Sequence, residues 1–344
     1  MRTRIGAVLI AALSLTAAAP KPTPESEVAR ARAFAGKDFA DSLFLCDPHS
    51  TKIADVLHDG PAWLPPTRAF DNLWYIGNSF VGAFVLKTSE GLIIFDANQS
   101  EQEVRDHLEP GLKALGFDAA DIRYAIITHG HWDHYGGAKY LQERYGTRVG
   151  MSDADWTTLE RSQPNDLIRA PYFGPDQADR PPPKRDLVIT DGQKLKLGDT
   201  EITLLVTPGH SLGTLSALIP VREGRRTYIL SLLGGTAFPT KLEPDSRMGG
   251  LLAFQKSVKR LSEVSRKAGA VGLLNTHIFV DGTDKRLAQA LTRPKGAPNP
   301  FVLGTHKVVR YYAMFSACLN AAVLRPRGPD GPPMPKSADP HAGH

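Results

Sequence analysis

Thr128-His129-Gly130-His131-Trp132-Asp133-His134 places three imidazoles and a carboxylate within six residues, directly after the strand-like run Tyr124-Ala125-Ile126-Ile127. That density of nitrogen ligands with one oxygen ligand suits a pair of zinc ions. In an extended turn, residues one and three point the same way, while the next two swing toward a neighbouring point. His129 and His131 can therefore grip one metal, and Asp133 and His134 a second, a few ångströms away. Most isolated histidines are ordinary surface or core residues, but four ligand-type side chains in this order are not isolated.

Two ions need more ligands than this cluster holds, and two further histidines stand at strand exits. His210 follows the apolar run Ile202-Thr203-Leu204-Leu205-Val206 and sits in Thr207-Pro208-Gly209-His210-Ser211, a strand entering a tight Pro-Gly turn. His277 ends Val271-Gly272-Leu273-Leu274-Asn275-Thr276-His277, again a buried type of strand running into a polar loop. Each alone is a weak signal; together with the first cluster they are a strong one. His49, His58, His107 and His306 have no second ligand type at metal spacing.

With its His-x-His-x-Asp-His motif, Pro-Gly-His turn and late histidine, the chain resembles the metallo-β-lactamase superfamily of metallohydrolases over about residues 70–325. The resemblance implies that His129, His131 and His210 hold the first zinc and Asp133, His134 and His277 the second. It also implies that Asp96, closing Leu92-Ile93-Ile94-Phe95-Asp96, braces the histidine loop. Many dinuclear members carry a bridging aspartate in the stretch that here reads Tyr228-Ile229-Leu230-Ser231-Leu232-Leu233-Gly234-Gly235-Thr236. Neither Asp nor Cys occurs there. The missing Asp argues against glyoxalase-II-like and lactonase-like branches, and the missing Cys against the most common class B β-lactamases. Flavo-diiron relatives carry a Glu where His131 stands. The remaining resemblance is to the third subclass of class B β-lactamases, whose second zinc is held by Asp, His and His.

Eight apolar runs read as strands, at 81–87, 92–96, 124–128, 147–151, 201–206, 214–220, 226–233 and 271–276. Val104, Leu108, Leu112 and Leu115 have helical spacing between them, as do Phe254, Val258 and Leu261. The superfamily resemblance arranges these as a four-layer αβ/βα sandwich, an α/β fold of two mixed β-sheets with helices on the outer faces. The metals would lie at the edge between the sheets, and the halves 70–185 and 186–325 read as a weak duplication.

Composition fits an exported hydrolase. The chain has 344 residues, 42% of them hydrophobic, enough for one large domain. Met1-Arg2-Thr3-Arg4, the apolar stretch Ile5 to Ala19 and the small residues near Thr16-Ala17-Ala18-Ala19 read as a signal peptide. A membrane span needs roughly twenty residues, so no stable anchor is expected. The expected organisation is 1–19 signal peptide, 20–69 N-terminal extension, 70–325 metallo-β-lactamase-like domain and 326–344 disordered Pro-rich tail. The expected location is the periplasm or beyond.

The formal net charge of +5 falls to +3 once Arg2 and Arg4 are removed, and no basic run interleaves with aromatics, so nucleic acid is not an expected partner. Oligomeric state cannot be read. Only Cys46 and Cys318 are present, which excludes cysteine zinc sites. They can pair in an oxidising compartment; equally, Cys318 can be a buried inert thiol on the helical pattern Val308, Tyr312, Phe315, Leu319, Val323.

The chemistry expected of such a site is attack by a hydroxide that two Zn2+ ions stabilise at neutral pH. Asp133 is the expected catalytic residue, orienting the hydroxide and passing a proton onward. In the β-lactamases that the chain resembles, hydroxyl groups near the later strand meet the substrate carboxylate. Here Thr236, with Ser231 further back, is the candidate. Trp132 is bulkier than the residue usual at its place, and is expected to narrow the pocket or stack on an aromatic substrate. The long loop 164–185 offers Tyr172 and Phe173 as walls of a substrate groove, with a plain surface loop as the alternative. The leading expectation is therefore a secreted dizinc hydrolase opening the amide of a β-lactam ring, an antibiotic-resistance activity on a small-molecule substrate. Alternatives are a dizinc hydrolase of an ester, lactone or other small molecule, and a non-catalytic zinc-binding scaffold.

Overall fold

Strands buried on both faces need apolar residues at every position, and this is how the central strands of the chain are written. In the computed structural model, which describes residues 21–58, 60–161, 181–238 and 247–325, the first seven strands are β1 (Thr67–Phe70), β2 (Leu73–Gly77), β3 (Gly82–Thr88), β4 (Gly91–Phe95), β5 (Ile122–Ile126), β6 (Arg148–Ser152) and β7 (Leu187–Ile189). They form one sheet in chain order. The pairs from β1 to β4 are antiparallel, and those from β4 to β7 parallel. Parallel neighbours need crossover connections. These carry helical segments, including Glu109–Ala114, Ala138–Tyr145 and Asp153–Arg161.

The second sheet contains β8 (Lys194–Leu197), β9 (Thr200–Val206), β10 (Leu215–Glu223), β11 (Arg226–Leu232) and β12 (Gly272–Leu274), in the order β12-β11-β10-β9-β8. Only β11 and β12 run parallel, joined through the helix Arg247–Lys267. Two mixed sheets with helices outside them are the α/β sandwich expected from the sequence. The divide between the halves, placed at 185/186, falls at β7, one strand from the true change of sheet.

Three apolar layers hold this together. Phe70, Tyr75, Phe84, Phe95 and Ile126 meet Ile202, Leu204, Ile219, Leu230 and Leu232 between the sheets. Val85 and Ile94, on the opposite face of the first sheet, pack on Val104, Leu108, Leu112, Leu141 and Trp156. Leu205, Leu233 and Leu273 pack outward on Phe254, Val258, Leu261, Phe315 and Leu319. All eight expected strands are present. The four not foreseen are short, and β8 (Lys-Leu-Lys-Leu) lies at a sheet edge, where lysines discourage further pairing.

The segment Pro24–Ala35 is a helix capped by Thr23, and it buries Ala31 and Ala35 against the helix Thr305–Leu324. Glu27, itself buried, accepts from Asn320 Nδ2 at 2.9 Å. Cys46 and Cys318 form a disulfide, with Cα atoms 4.4 Å apart, so the inert-thiol alternative does not hold. Among the described residues no helix is long and apolar enough to cross a membrane. The expected signal peptide, Tyr172, Phe173 and the Pro-rich tail lie outside the described residues.

Candidate metal centre

The C-terminal ends of β4, β5, β9 and β12 deliver the candidate ligands to one edge of the sandwich. Just past β4, Asp96 adopts the left-handed conformation, with φ 63°. That is uncommon for a residue with a side chain and is tolerated best by Asp and Asn. The turn aims a fully buried carboxylate at the segment leaving β5. Asp96 accepts from the Thr128 N–H at 2.7 Å, from the Thr128 hydroxyl at 3.0 Å and from His134 Nδ1 at 2.6 Å. His134 lies on the short helix Trp132–Tyr135. Gly136 and Gly137 let the next helix approach: a Cβ at Gly136 would lie 1.9 Å from the Gln99 carbonyl oxygen.

The six candidate side chains converge as two groups, His129/His131/His210 and Asp133/His134/His277. In the first, His210 Nε2 lies 3.0 Å from His129 Nε2 and 3.1 Å from His131 Nδ1. In the second, His134 Nε2 and His277 Nε2 are 3.1 Å apart, and each is 3.4 Å from Asp133 Oδ2. The groups abut, with the His129 and His134 rings 3.9 Å apart.

The outward-facing nitrogens explain why this is a cation site. His129 Nδ1 lies 2.9 Å from the Gly234 carbonyl oxygen, His210 Nδ1 2.8 Å from that of Ala237, and His277 Nδ1 3.1 Å from that of Phe80. A carbonyl only accepts, so each of these Nδ1 atoms carries the proton, and in the neutral rings of His129 and His210 the Nε2 carries a lone pair. The Nε2 atoms of His129 and His210 thus face each other at 3.0 Å with no proton between them, an arrangement that a shared cation relieves. Tetrahedral zinc with bonds of about 2.0–2.1 Å separates its ligand atoms by roughly 3.3 Å, and the distances here fit that spacing. Carbonyl partners behind His129, His210 and His277 and a carboxylate behind His134 are the usual support of a metal-binding histidine.

Electrostatics divide the two groups. Burial pushes His129 well below the ordinary range, and the neighbouring imidazoles deepen the shift. Lost hydration, opposed by Asp133, takes His131 to about 4, and burial takes His210 to about 3. All three are neutral ligands at pH 7. Burial also opposes a charge on His134, but Asp133 and Asp96 outweigh it and raise the imidazole to about 10. Burial would raise Asp133, yet His134 and His277 hold it well below the usual carboxylate range.

Gly234 and Gly235 show why no bridging carboxylate stands after β11. A Cβ at Gly234 would sit 1.7 Å from the Leu215 carbonyl oxygen, and one at Gly235 within 2.6–2.7 Å of three His210 atoms. With this backbone, neither position accepts a side chain.

Other expectations need correction. Trp132 is 5% exposed and packs in the core of the first sheet, so it does not line a pocket. Ser231 is buried, 2.6 Å from the Tyr312 hydroxyl and accepting from Ser265 at 2.8 Å, too deep for substrate. Thr236 is buried as well and offers a substrate carboxylate no surface; it adjoins Ala237, whose carbonyl holds His210. Sequence reasoning missed Asp155, which sits under the histidine loop and accepts from the Gly130 N–H at 2.9 Å. In Ser152-Asp153-Ala154-Asp155 it reads as one of two acidic residues opening a helix, and no spacing marks it. The supporting carbonyls of Phe80, Gly234 and Ala237 are likewise invisible in side-chain identity.

Two packed mixed sheets with a double ligand cluster at their edge define a metal-binding hydrolase scaffold. A family profile described as the metallo-beta-lactamase superfamily matches residues 76–220, and the chain belongs to that superfamily, a family of hydrolases. The structure is similar to that of BJP-1, a subclass B3 metallo-beta-lactamase of Bradyrhizobium japonicum, with a TM-score of 0.61 and 27% identity, covering 73% of this chain and 90% of that one. In sequence it is 31% identical over 162 residues to an uncharacterized protein of Aquifex aeolicus, covering 45% of this chain and 70% of the relative. It is also 28% identical over 133 residues to a hydroxyacylglutathione hydrolase of Cereibacter sphaeroides, covering 38% of this chain and 43% of that enzyme.

Proposed function

We propose that the chain is an exported dizinc hydrolase that opens the amide bond of a β-lactam ring. The observation that carries this reading is the ligand set: three histidines on one side, Asp-His-His on the other, and a Gly234-Gly235 backbone that leaves no room for a bridging carboxylate. The likeness to a subclass B3 β-lactamase over most of the chain supports it.

His129, His131 and His210 would hold one zinc, and Asp133, His134 and His277 the other. Bound there, the ions would supply a water that ionises near neutral pH and would polarise the scissile carbonyl. Asp133, held anionic by His134 and His277, accepts hydrogen bonds strongly but stores a proton poorly. It orients the attacking water and passes the proton on toward the departing nitrogen. Asp96 and the Gly234, Ala237 and Phe80 carbonyls fix the tautomer and direction of four ligand rings, so little reorganisation accompanies the reaction. The proposed substrate is a small molecule and not a nucleic acid. Export rests on the apolar segment at residues 5–19, and the Cys46–Cys318 disulfide fits an oxidising compartment such as the periplasm.

The test is hydrolysis of a chromogenic cephalosporin by the purified protein, with chelator added and zinc then restored. Turnover lost to the chelator and recovered with zinc is the expected result. A second reading, hydrolysis of a hydroxyacylglutathione, is favoured by the sequence match over residues shared with such an enzyme. Turnover of that thioester with none of the cephalosporin would replace the β-lactam reading.

A further inference from the structure

Asp155 is 2% exposed, and among the described residues no Lys, Arg or His pairs with its carboxylate. A buried carboxylate without a cation is costly unless hydrogen bonds replace its hydration. Burial raises Asp155 to about 6, while its donors pull the other way. Those donors are the Gly130 N–H at 2.9 Å, the Ser211 hydroxyl at 2.9 Å and the Gly213 N–H at 3.1 Å.

Gly130 lies between His129 and His131, whereas Ser211 and Gly213 belong to the turn that carries His210. One carboxylate therefore joins the two segments bearing the three-histidine group, which come from different sheets. The turn has little slack. Thr214 Oγ1 lies 2.9 Å from both the Ser211 N–H and its hydroxyl, and a Cβ at Gly213 would fall 2.0 Å from Ser152 Oγ. The second group has different support: Asp96 holds His134, while Asn275 accepts from the His277 N–H at 2.9 Å.

We infer that Asp155 is a positioning residue for the first metal site alone, holding the His129–His131 loop against the His210 turn so that three imidazoles from two sheets meet at one point. Asp96 bonds both Thr128, beside His129, and His134, so it is shared between the sites, whereas the carboxylate bonds of Asp155 all go to the two segments of the first. The inference rests on the reading of these six residues as two metal sites.

The experiment measures zinc affinity by competition with a chromogenic chelator in two single-site backgrounds of the full chain. His277→Ala retains the three-histidine group, and His210→Ala retains the Asp-His-His group. Adding Asp155→Ala should weaken zinc binding about 10–100-fold in the first background, the usual cost of losing such a support, and leave the second within about threefold. Parallel weakening in both would show a merely structural role and overturn the inference, as would unchanged affinity in both. If Asp155→Ala does not fold, Asp155→Asn carries the test. It keeps the size but replaces one acceptor with a donor facing a donor, and must show the same selective loss. Failure of both backgrounds to bind zinc before any change at Asp155 would instead overturn the metal-site reading itself.

Discussion

Adding one methyl group at Gly235 should disable the first metal site while leaving most of the fold intact. The new Cβ would stand 2.6 Å from His210 Cδ2 and 2.7 Å from both Cβ and Cγ of the same residue. Carbon atoms in contact prefer about 3.5–4.0 Å, so the ring or the 234–236 backbone has to retreat by close to 1 Å. A zinc site tolerates ligand displacements of only about 0.2 Å. His210 Nε2 sits 3.0 Å from His129 Nε2 and 3.1 Å from His131 Nδ1, with its other nitrogen held by the Ala237 carbonyl, so it has no compensating motion. Overpacking of this kind costs about 1–3 kcal/mol, which lowers the melting temperature by a few degrees in a domain of this size. Gly235→Ala should therefore bind one zinc per chain tightly instead of two, shown by metal analysis after dialysis beside thermal melting. Two tightly bound zinc ions at an unchanged melting temperature would refute the steric argument. They would also reopen the position to the bridging carboxylate it is inferred to exclude.

Zinc binding should displace protons unequally. At pH 6 His131 and His210, at about 4 and about 3, are already neutral, while His134, at about 10, is charged in the metal-free protein. Zinc added to metal-free protein in weak buffer should release at least the His134 proton, one per chain, and release of none would contradict the charge assigned to His134. Reducing the Cys46–Cys318 bond, which joins residues 272 apart in sequence, should destabilise the protein by about 2–5 kcal/mol. A urea midpoint unmoved by reductant would show that the bond contributes nothing.

Much of this was legible before folding because the evidence is local. Strands such as β3 and β4 are apolar at nearly every position because both faces are covered, and residues 128–134 carry four ligand residues, three His and one Asp, in one turn. What escaped depends on distant segments meeting. The lysine-bearing edge strand β8 has too few apolar residues to stand out. Trp132 sits inside the ligand motif yet turns into the core. Ser231 looks like a hydroxyl at a strand end near the site, but its partners are Tyr312 and Ser265 on two outer helices. Nothing in the sequence near Asp155 indicates that the turn after β9 will settle on it.

By itself, the sequence determined the ligand inventory and the apolar periodicity, because residue type fixes which atoms can bind a metal and alternation fixes which faces are buried. It left a Cys46–Cys318 disulfide and an inert Cys318 thiol as equal alternatives, and it could give only the absence of a carboxylate after β11. The tertiary structure decided both. The N-terminal segment packs on the C-terminal helix and brings two sulfur atoms together across 272 residues. Packing of Leu215 and His210 against Gly234 and Gly235 leaves no volume for a side chain there. Such distances between remote segments are set by how whole sheets pack, which no local stretch of the chain encodes.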